Sequence, residues 1–163
     1  MQDKIINGDS LKELQKIESQ TIDLIFADPP YFMRTGEKVL NRANGTEFKG
    51  CNDDWDKFNS LEDYEKFTFE WLSQCKRILK HDGSLWVIGS MQCIYIIGAV
   101  LQKLNFWLIN DVIWQKQNPT PNFMGTRLNN SHETLIWAAR EKNSKFTFHY
   151  KTAKFLNMNL KQM

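Results

Sequence analysis

A short apolar run that stops at a double proline is the strongest constraint on the fold. Residues 22–27 read Ile-Asp-Leu-Ile-Phe-Ala, and Asp28-Pro29-Pro30 follows at once. A run of this length is typical of a buried strand. Each proline fixes its own φ angle and disfavours helix in the residue before it. We therefore predict a strand over 22–27 whose carboxyl end is held extended at Asp28.

The rest of the chain alternates between strand and helix patterns. Strands are predicted at 3–7, 84–89, 106–114, 133–139 and 145–150, the last two antiparallel, and helices at 10–17, 60–80 and 92–103. Ser10 with Glu13, and Ser60 with Asp63, have the spacing of capping boxes that open the first two helices. His81-Asp82-Gly83 is predicted to end the second helix. This order indicates an α/β fold with a doubly wound sheet, in which ligands bind beyond the carboxyl ends of the strands.

The segment 33–59 is polar and rich in turn residues, so we predict a long loop there. In a compact domain, a loop of that length is usually a functional lid or a disordered segment, and the sequence leaves both open. The whole chain, 1–163, is expected to form a single α/β domain around this loop, since 163 residues are too few for two comfortable domains.

Composition excludes some classes of protein. The chain is 42% hydrophobic and 13% aromatic, which supports a packed core, yet no apolar run is long enough to predict a membrane span. Three cysteines without a C-x-x-C pair indicate reduced thiols and no zinc site, so we expect a cytoplasmic protein without a metal. Residues 140–163 hold six Lys or Arg against one acidic residue. That basic tail fits either a contact to a phosphate backbone or an ordinary solvated surface.

The residues Asp28, Pro29, Pro30 and Tyr31 suggest a particular ligand chemistry. They combine a carboxylate, a backbone that lacks N–H donors at the prolines, and an aromatic ring. The exocyclic amine of adenine would find acceptors at the Asp28 side chain and the Pro29 carbonyl, and its ring could stack on Tyr31. Such a base must leave the duplex to be reached. The alternative is a strand end in which Asp28 merely caps a turn.

Several separate blocks of the sequence also resemble one family. They read NGDSLKEL, TIDLIFADPPYF, DDWDKF, WLSQCKRILKHDGSLWVIGS and FWLINDVIWQKQNPTPNFMGTRLNNSHETLIWA. Together they resemble the β-class DNA adenine-N6 methyltransferases of the HinfI and CcrM type, over nearly the whole chain. The resemblance implies a Rossmann-like S-adenosylmethionine-dependent methyltransferase fold in circularly permuted order.

The resemblance also implies a function. Positions 28–31 would hold a flipped adenine of double-stranded DNA, with S-adenosylmethionine as the methyl donor and 5′-GANTC-3′ as the target. The enzyme would be site-specific, part of a restriction-modification or epigenetic system, and located at the nucleoid in the bacterial cytoplasm. Cytosine-N4 enzymes of the superfamily usually carry Ser at the position of Asp28, so cytosine-N4 methylation is the lesser alternative.

Further site residues follow from the matched blocks. Asp9 and Ser10, with Asp28, correspond to positions near the cofactor, although Asp9 and Ser10 also suit a simple helix start. The block that contains Asn118, Asn122 and Arg127 corresponds to residues near the target base and DNA, and Arg34 in the 33–59 loop is a further candidate DNA contact. His132 is predicted to be a polar packing residue.

The glycine-rich turn that holds the cofactor in this superfamily is not found. The eight glycines never form G-x-G, and in the β class that turn lies beyond the region matched here. We expect the strand at 3–7 to lie at one sheet edge, separated from 22–27 by two strands of a C-terminal half outside this chain. A fragment, a truncated gene or a second chain would each explain this. The chain could then be half of a split enzyme or a non-catalytic DNA-binding remnant, and a cognate restriction enzyme is a further possible partner.

Overall fold

The computed structural model describes residues 3–33, 40–41, 47–48, 56–119, 121–122 and 125–156. In chain order the elements are α1 (Ser10–Lys16), β1 (Ile22–Ala27), β2 (Leu40–Asn41), β3 (Glu47–Phe48), α2 (Leu61–Ile78), β4 (Leu79–Gly89), α3 (Ile94–Lys103), β5 (Trp107–Gln115), β6 (His132–Ala139) and α4 (Tyr150–Leu156). Within these residues, no helix has both the length and the apolar character needed to cross a bilayer.

The main sheet of the described residues has the strand order β1-β4-β6-β5. β1 runs parallel to β4, with Phe26 opposite Trp86. β6 is antiparallel to both of its neighbours, with Thr134 opposite Gly89 of β4 and His132 opposite Gln115 of β5. The carboxyl ends of β1, β4 and β5 and the first residues of β6 therefore share one edge of the sheet.

The core lies between the sheet and the face of α2 and α3. α2 buries residues at helical spacing, namely Tyr64, Thr68, Trp71, Leu72, Cys75 and Ile78. They pack with inward-facing strand residues such as Leu85, Val87 and Ala138. On the opposite face of the sheet Trp86 stacks on Trp137, with ring centroids 5.0 Å apart. The α/β architecture that the sequence predicts is confirmed.

The amino-terminal segment differs from the prediction. Residues 3–7 form no strand, and the Ile5 side chain is 98% exposed. A strand needs a neighbouring backbone to pair with, and the described residues offer none to this segment. α1 is capped one residue earlier than predicted, because the Asp9 carboxylate, rather than Ser10, accepts a hydrogen bond from the backbone N–H of Leu11 at 3.0 Å. At α2 the predicted cap is confirmed, since the Ser60 hydroxyl accepts from the Asp63 N–H at 3.1 Å.

The segment His81-Asp82-Gly83 does not end a helix, as the sequence predicted. α2 ends at Ile78 and β4 begins at the next residue, so all three residues lie inside a strand. A Cβ at Gly83 would lie 3.1 Å from the Asp23 carbonyl oxygen of β1. The register of the β1–β4 pair shifts between Ile22 and Leu24, close to this approach. Gly83 therefore serves close backbone packing between strands.

The predicted strand at 145–150 is also wrong. Residues 145–149 carry no strand pairing, and α4 begins at Tyr150. Phe146 and Phe148 both contact the Trp137 ring, at centroid distances of 5.0 and 5.5 Å. The alternation of Phe146 and Phe148 in the sequence places both rings on Trp137, although the backbone of this segment pairs with no strand.

The predicted 33–59 loop contains two short strands among its described residues. β2 and β3 pair antiparallel, with Leu40 opposite Phe48. The lid hypothesis concerns the rest of the segment, most of which lies outside the described residues.

Candidate active site

The sheet edge defined above brings the central candidate residues to one place. Asp28 follows the last residue of β1, and Glu133 is the second residue of β6. Since β6 runs antiparallel to β4, its start lies beside the end of β4, which itself lies beside the end of β1. Side chains that are about a hundred residues apart in the sequence therefore meet at one edge.

The double proline is fixed from α2. The Tyr64 hydroxyl donates a hydrogen bond to the Pro30 carbonyl oxygen at 2.7 Å, and the Tyr64 side chain is fully buried. Burial raises the pKa of Tyr64, so its hydroxyl stays a donor at neutral pH. The Pro29 carbonyl has no hydrogen bond within the described part of the chain. Asp28 is exposed and directly follows the last residue of β1.

The backbone after Tyr31 turns through an unusual conformation. Phe32 has φ of +51°, which costs a non-glycine residue about 1–3 kcal/mol. The Asp56 carboxylate accepts two backbone hydrogen bonds, from the Phe32 N–H at 2.8 Å and the Met33 N–H at 3.0 Å. Asp56 is only 6% exposed, and the Phe32 ring stacks on Tyr64 with centroids 5.3 Å apart. These contacts hold the turn in its strained form.

Tyr31 is half-buried and is linked across the sheet to Glu133. Its hydroxyl donates to Glu133 Oε2 at 2.8 Å, and Lys116 Nζ lies 2.5 Å from Glu133 Oε1. Burial, followed by the hydrogen bond to Glu133 and the charge of Asp28, raises the pKa of Tyr31. The ring is therefore a neutral phenol held at a fixed place beside Asp28.

A pocket of about 390 Å³ opens between α1, α2 and the end of β1. That volume falls within the range of small-molecule sites, roughly 300–1,000 Å³. Its lining includes Gly8, Ser10, Glu13, Asp28, Phe67 and Trp71. The structure thus brings Ser10 and Asp28 together, as the cofactor hypothesis requires. Asp9 does not line the pocket, and its carboxylate instead caps α1.

The α1 wall of this pocket is attached to α2 by one arginine. Arg77 donates from Nη1 to the Ile17 carbonyl oxygen and from Nη2 to the Leu14 carbonyl oxygen, both at 2.9 Å. The Leu14 carbonyl also accepts from the Ile17 N–H at 3.1 Å, and carbonyls in the last turn of a helix have acceptor capacity that the helix itself does not use. The guanidinium therefore satisfies the end of α1 and fixes its position on α2.

The loop between β5 and β6 begins and ends at the same sheet edge. Asn118 and Arg127 are exposed there. Asn122 is used within the loop, since its amide nitrogen donates to the Arg127 carbonyl oxygen at 2.8 Å. Arg34 lies outside the described residues. His132 is exposed, so the prediction that it packs is wrong.

Three residues that shape the site have no predicted role. Asp56 lies in the quoted block DDWDKF, Tyr64 fits the helical core face of α2, and Glu133 directly follows His132. Their partners are 24, 34 and 102 residues away along the chain. No local spacing signals such contacts, although an acidic residue at the start of a strand beside the site is a usable hint for Glu133.

Similar folds are found among solved methyltransferase structures. A PvuII DNA methyltransferase described as cytosine-N4-specific matches with a TM-score of 0.59 and 18% identity, covering 83% of this chain and 48% of that one. A putative DNA modification methylase from Thermus thermophilus, complexed with S-adenosyl-L-methionine, matches with a TM-score of 0.59 and 18% identity, covering 90% and 59%. At this identity the likeness concerns the fold alone, and it confirms the predicted Rossmann-like methyltransferase class.

The sequence comparisons reach closer relatives. The chain is 58% identical over 153 residues to Type II methyltransferase M.HinfI of Haemophilus influenzae, covering 94% of this chain and 42% of the relative. It is 36% identical over 154 residues to Type II methyltransferase M2.LlaDCHI of Lactococcus lactis subsp. cremoris, covering 94% and 56%. The chain thus spans about half the length of these curated relatives. The N6/N4 family model, described as DNA methylase, matches residues 22–162. The chain therefore belongs to the N6/N4 DNA methylase family.

Proposed function

We propose that this chain carries the target-base site of an adenine-N6 methyltransferase that acts on double-stranded DNA with S-adenosylmethionine. The observation that carries the proposal is the exposed Asp28 carboxylate at the pocket, beside a Tyr31 ring that is fixed in place. The similarity to M.HinfI supports GANTC as the sequence to test first, within a restriction-modification or epigenetic system.

The residues at the site suit an aromatic amine. The Asp28 carboxylate and the Pro29 carbonyl accept its two N–H groups, which draws the nitrogen toward tetrahedral geometry and localises its lone pair. The Tyr31 ring offers a stacking surface to the base, and such stacking contributes roughly 1–3 kcal/mol. Because Tyr31 is neutral and tied to Glu133, its ring needs no reorganisation when the base arrives.

The pocket residues fit the proposed cofactor. Asp28 offers a carboxylate to a positive group, and Phe67 and Trp71 form an aromatic wall. The other acidic lining residue, Glu13, already pairs through Oε1 with Lys16 Nζ at 2.7 Å. The Trp71 indole N–H is buried without a hydrogen-bond partner in the described residues, so this wall also holds an unused donor. Bound S-adenosylmethionine supplies a methyl group on a positively charged sulfur. The chain's own part is to place the amine of the base at this pocket.

The test is nucleoside mass spectrometry on GANTC-containing duplex DNA. The assay uses the chain and a chimera in which it replaces the matching segment of M.HinfI, since it spans only 42% of that relative. We expect N6-methyladenine, and its loss by at least about a hundredfold in Asp28→Ala, because an acceptor of the reacting amine is removed.

The matched control is Asp23→Ala. Asp23 lies at the other end of β1, and its exposed carboxylate pairs with Lys80 Nζ at 2.7 Å. This variant should keep its activity. N4-methylcytosine in place of N6-methyladenine would support the cytosine alternative. Full activity in Asp28→Ala would contradict the proposal. If neither the unmodified chain nor the unmodified chimera were active, the non-catalytic DNA-binding alternative would be favoured.

A further inference from the structure

The Tyr31 hydroxyl lies within range of two carboxylates. It donates its hydrogen to Glu133 Oε2 at 2.8 Å. Asp28 also acts on this hydroxyl. Burial, the Glu133 hydrogen bond and the charges of Asp28 and Glu133 raise the pKa of Tyr31, and a weaker hydrogen bond to Asp28 raises it further. A phenol has a single hydrogen to donate. Whichever carboxylate accepts that hydrogen loses part of its capacity for another donor.

Glu133 is better placed than Asp28 to accept the hydrogen of the Tyr31 hydroxyl. Its side chain is only 16% exposed, and its two oxygens have different partners, Tyr31 on Oε2 and Lys116 on Oε1. Lys116 is positioned in turn, because its backbone N–H donates to the Ser131 carbonyl oxygen at 2.8 Å. The carboxylate is thereby oriented from β5 and β6, and neither of these strands carries Asp28.

We propose that Glu133 is a positioning residue that accepts the hydrogen of the Tyr31 hydroxyl in place of Asp28, so that the Asp28 carboxylate remains available to the amine of the target base. The inference rests on the proposed function, since it gives Asp28 the role of amine acceptor. Glu133 touches neither the base nor the cofactor in this scheme and acts only through Tyr31.

A purely structural role for Glu133 makes a different prediction. If the Tyr31–Glu133–Lys116 chain only ties the turn after β1 to β6, then removing Glu133 should harm the enzyme with or without the hydroxyl. If Glu133 competes with Asp28 for the hydroxyl, removing it should harm the enzyme only when that hydroxyl is present. The two roles are separated by a double-mutant cycle.

The cycle uses Glu133→Ala, Tyr31→Phe and the double variant in the M.HinfI chimera, with methyl transfer to duplex DNA as the readout. We expect Glu133→Ala to lower kcat about 10- to 100-fold while KM for DNA changes less than about threefold. In the Tyr31→Phe background the same change should lower kcat less than about threefold. Glu133→Gln keeps an acceptor oxygen for Tyr31 and should retain more activity than Glu133→Ala.

The control is Glu141→Ala. Glu141 lies just past the opposite end of β6, where its carboxylate contacts His81 Nδ1 at 2.6 Å, and this variant should behave as the parent. An equal loss from Glu133→Ala in both backgrounds would overturn the inference. An inactive parent chimera would instead contradict the proposed function.

A second readout needs no activity. In the 163-residue chain labelled with ¹³Cζ-tyrosine, the Tyr31 signal is assigned by its loss in Tyr31→Phe. Glu133→Ala should shift this signal. Asp28→Asn should shift it more when Glu133 is absent than when Glu133 is present, because the hydroxyl then donates to Asp28. A Tyr31 signal that responds to Asp28→Asn in the presence of Glu133, and ignores Glu133→Ala, would also overturn the inference.

Discussion

The two walls of the pocket differ in how well the described residues support and cover them. On the target-base side, the turn from Asp28 to Met33 is held by Asp56, Tyr64 and Glu133, which come from three separate parts of the chain. On the opposite side, the lining residues Ile6 and Phe26 are 53% and 58% exposed, and Leu24, two residues before Phe26 on β1, is also 58% exposed. The described residues therefore support the first wall fully and leave the second without cover.

The largest effect that would test this contrast concerns Cys75, which lines the pocket from α2. Burial raises the pKa of its thiol from 9.0 to about 12, so at pH 8 its thiolate fraction falls roughly a thousandfold. We expect iodoacetamide to modify Cys75 at least about a hundredfold more slowly in the native protein than in denaturant. Mass spectrometry of the Cys75 peptide measures the rate.

The same pKa shift sets a pH dependence of stability. The folded state favours the protonated thiol, so this contribution is complete below about pH 9, the ordinary pKa of the thiol, and is lost as the pH rises toward 12. Rapid modification of Cys75 by iodoacetamide in the native protein at pH 8 would show that solvent reaches α2 from the exposed wall of the pocket. The buried side of α2 would then be as open as that wall.

The next largest effect is expected from Asp56→Ala. The change removes the carboxylate that accepts from the N–H groups of Phe32 and Met33, and with it a support for the positive φ of Phe32. We expect the free energy of unfolding to fall by about 2–4 kcal/mol, measured by urea denaturation. Asp56→Asn keeps one acceptor oxygen and should lose about half as much.

Asp23→Ala serves as the control for Asp56, because it also removes a carboxylate but one that is exposed. Its cost should stay below about 1 kcal/mol. Comparable losses from both variants would mean that the turn after β1 is not specially supported.

The smallest effect should come from the exposed wall. Leu24→Ser replaces a side chain that is more than half exposed, so unfolding should change by less than about 1 kcal/mol in the 163-residue chain. Leu85→Ser, a fully buried leucine of the adjacent strand β4, should cost more than about 3 kcal/mol. If the Leu24 variant were as damaging as the Leu85 variant, this wall would be covered after all.

The parts of the fold that the sequence predicted well rest on local signals. The bounds of β1 follow from an apolar run stopped by prolines, and the start of α2 follows from Ser60, whose cap lies three residues from its partner. The strands predicted at 3–7 and 145–150 were wrong, because an alternation of side chains does not reveal whether a second backbone lies beside the segment to pair with it.

In the site, too, the sequence indicated some residues and left others unmarked. Asp28 and Tyr31 stand together in one motif, and their chemistry can be read from four adjacent letters. Asp56 and Glu133 act through contacts that exist only after the chain has folded, so no pattern of spacing marks them. Asp28 and Tyr31 can therefore be identified from the sequence, whereas Asp56 and Glu133, which position them, cannot.

The Tyr31–Glu133 hydrogen bond also bears on the order of events during synthesis. Its two residues are 102 positions apart, and ribosomes add about 5–20 residues per second, so Tyr31 is made roughly 5–20 s before its acceptor exists. Contacts of such sequence separation form late in folding, because closing the intervening chain costs entropy first. Until β6 has joined β4, the Tyr31 hydroxyl therefore lacks its Glu133 acceptor, and the site after β1 is incomplete.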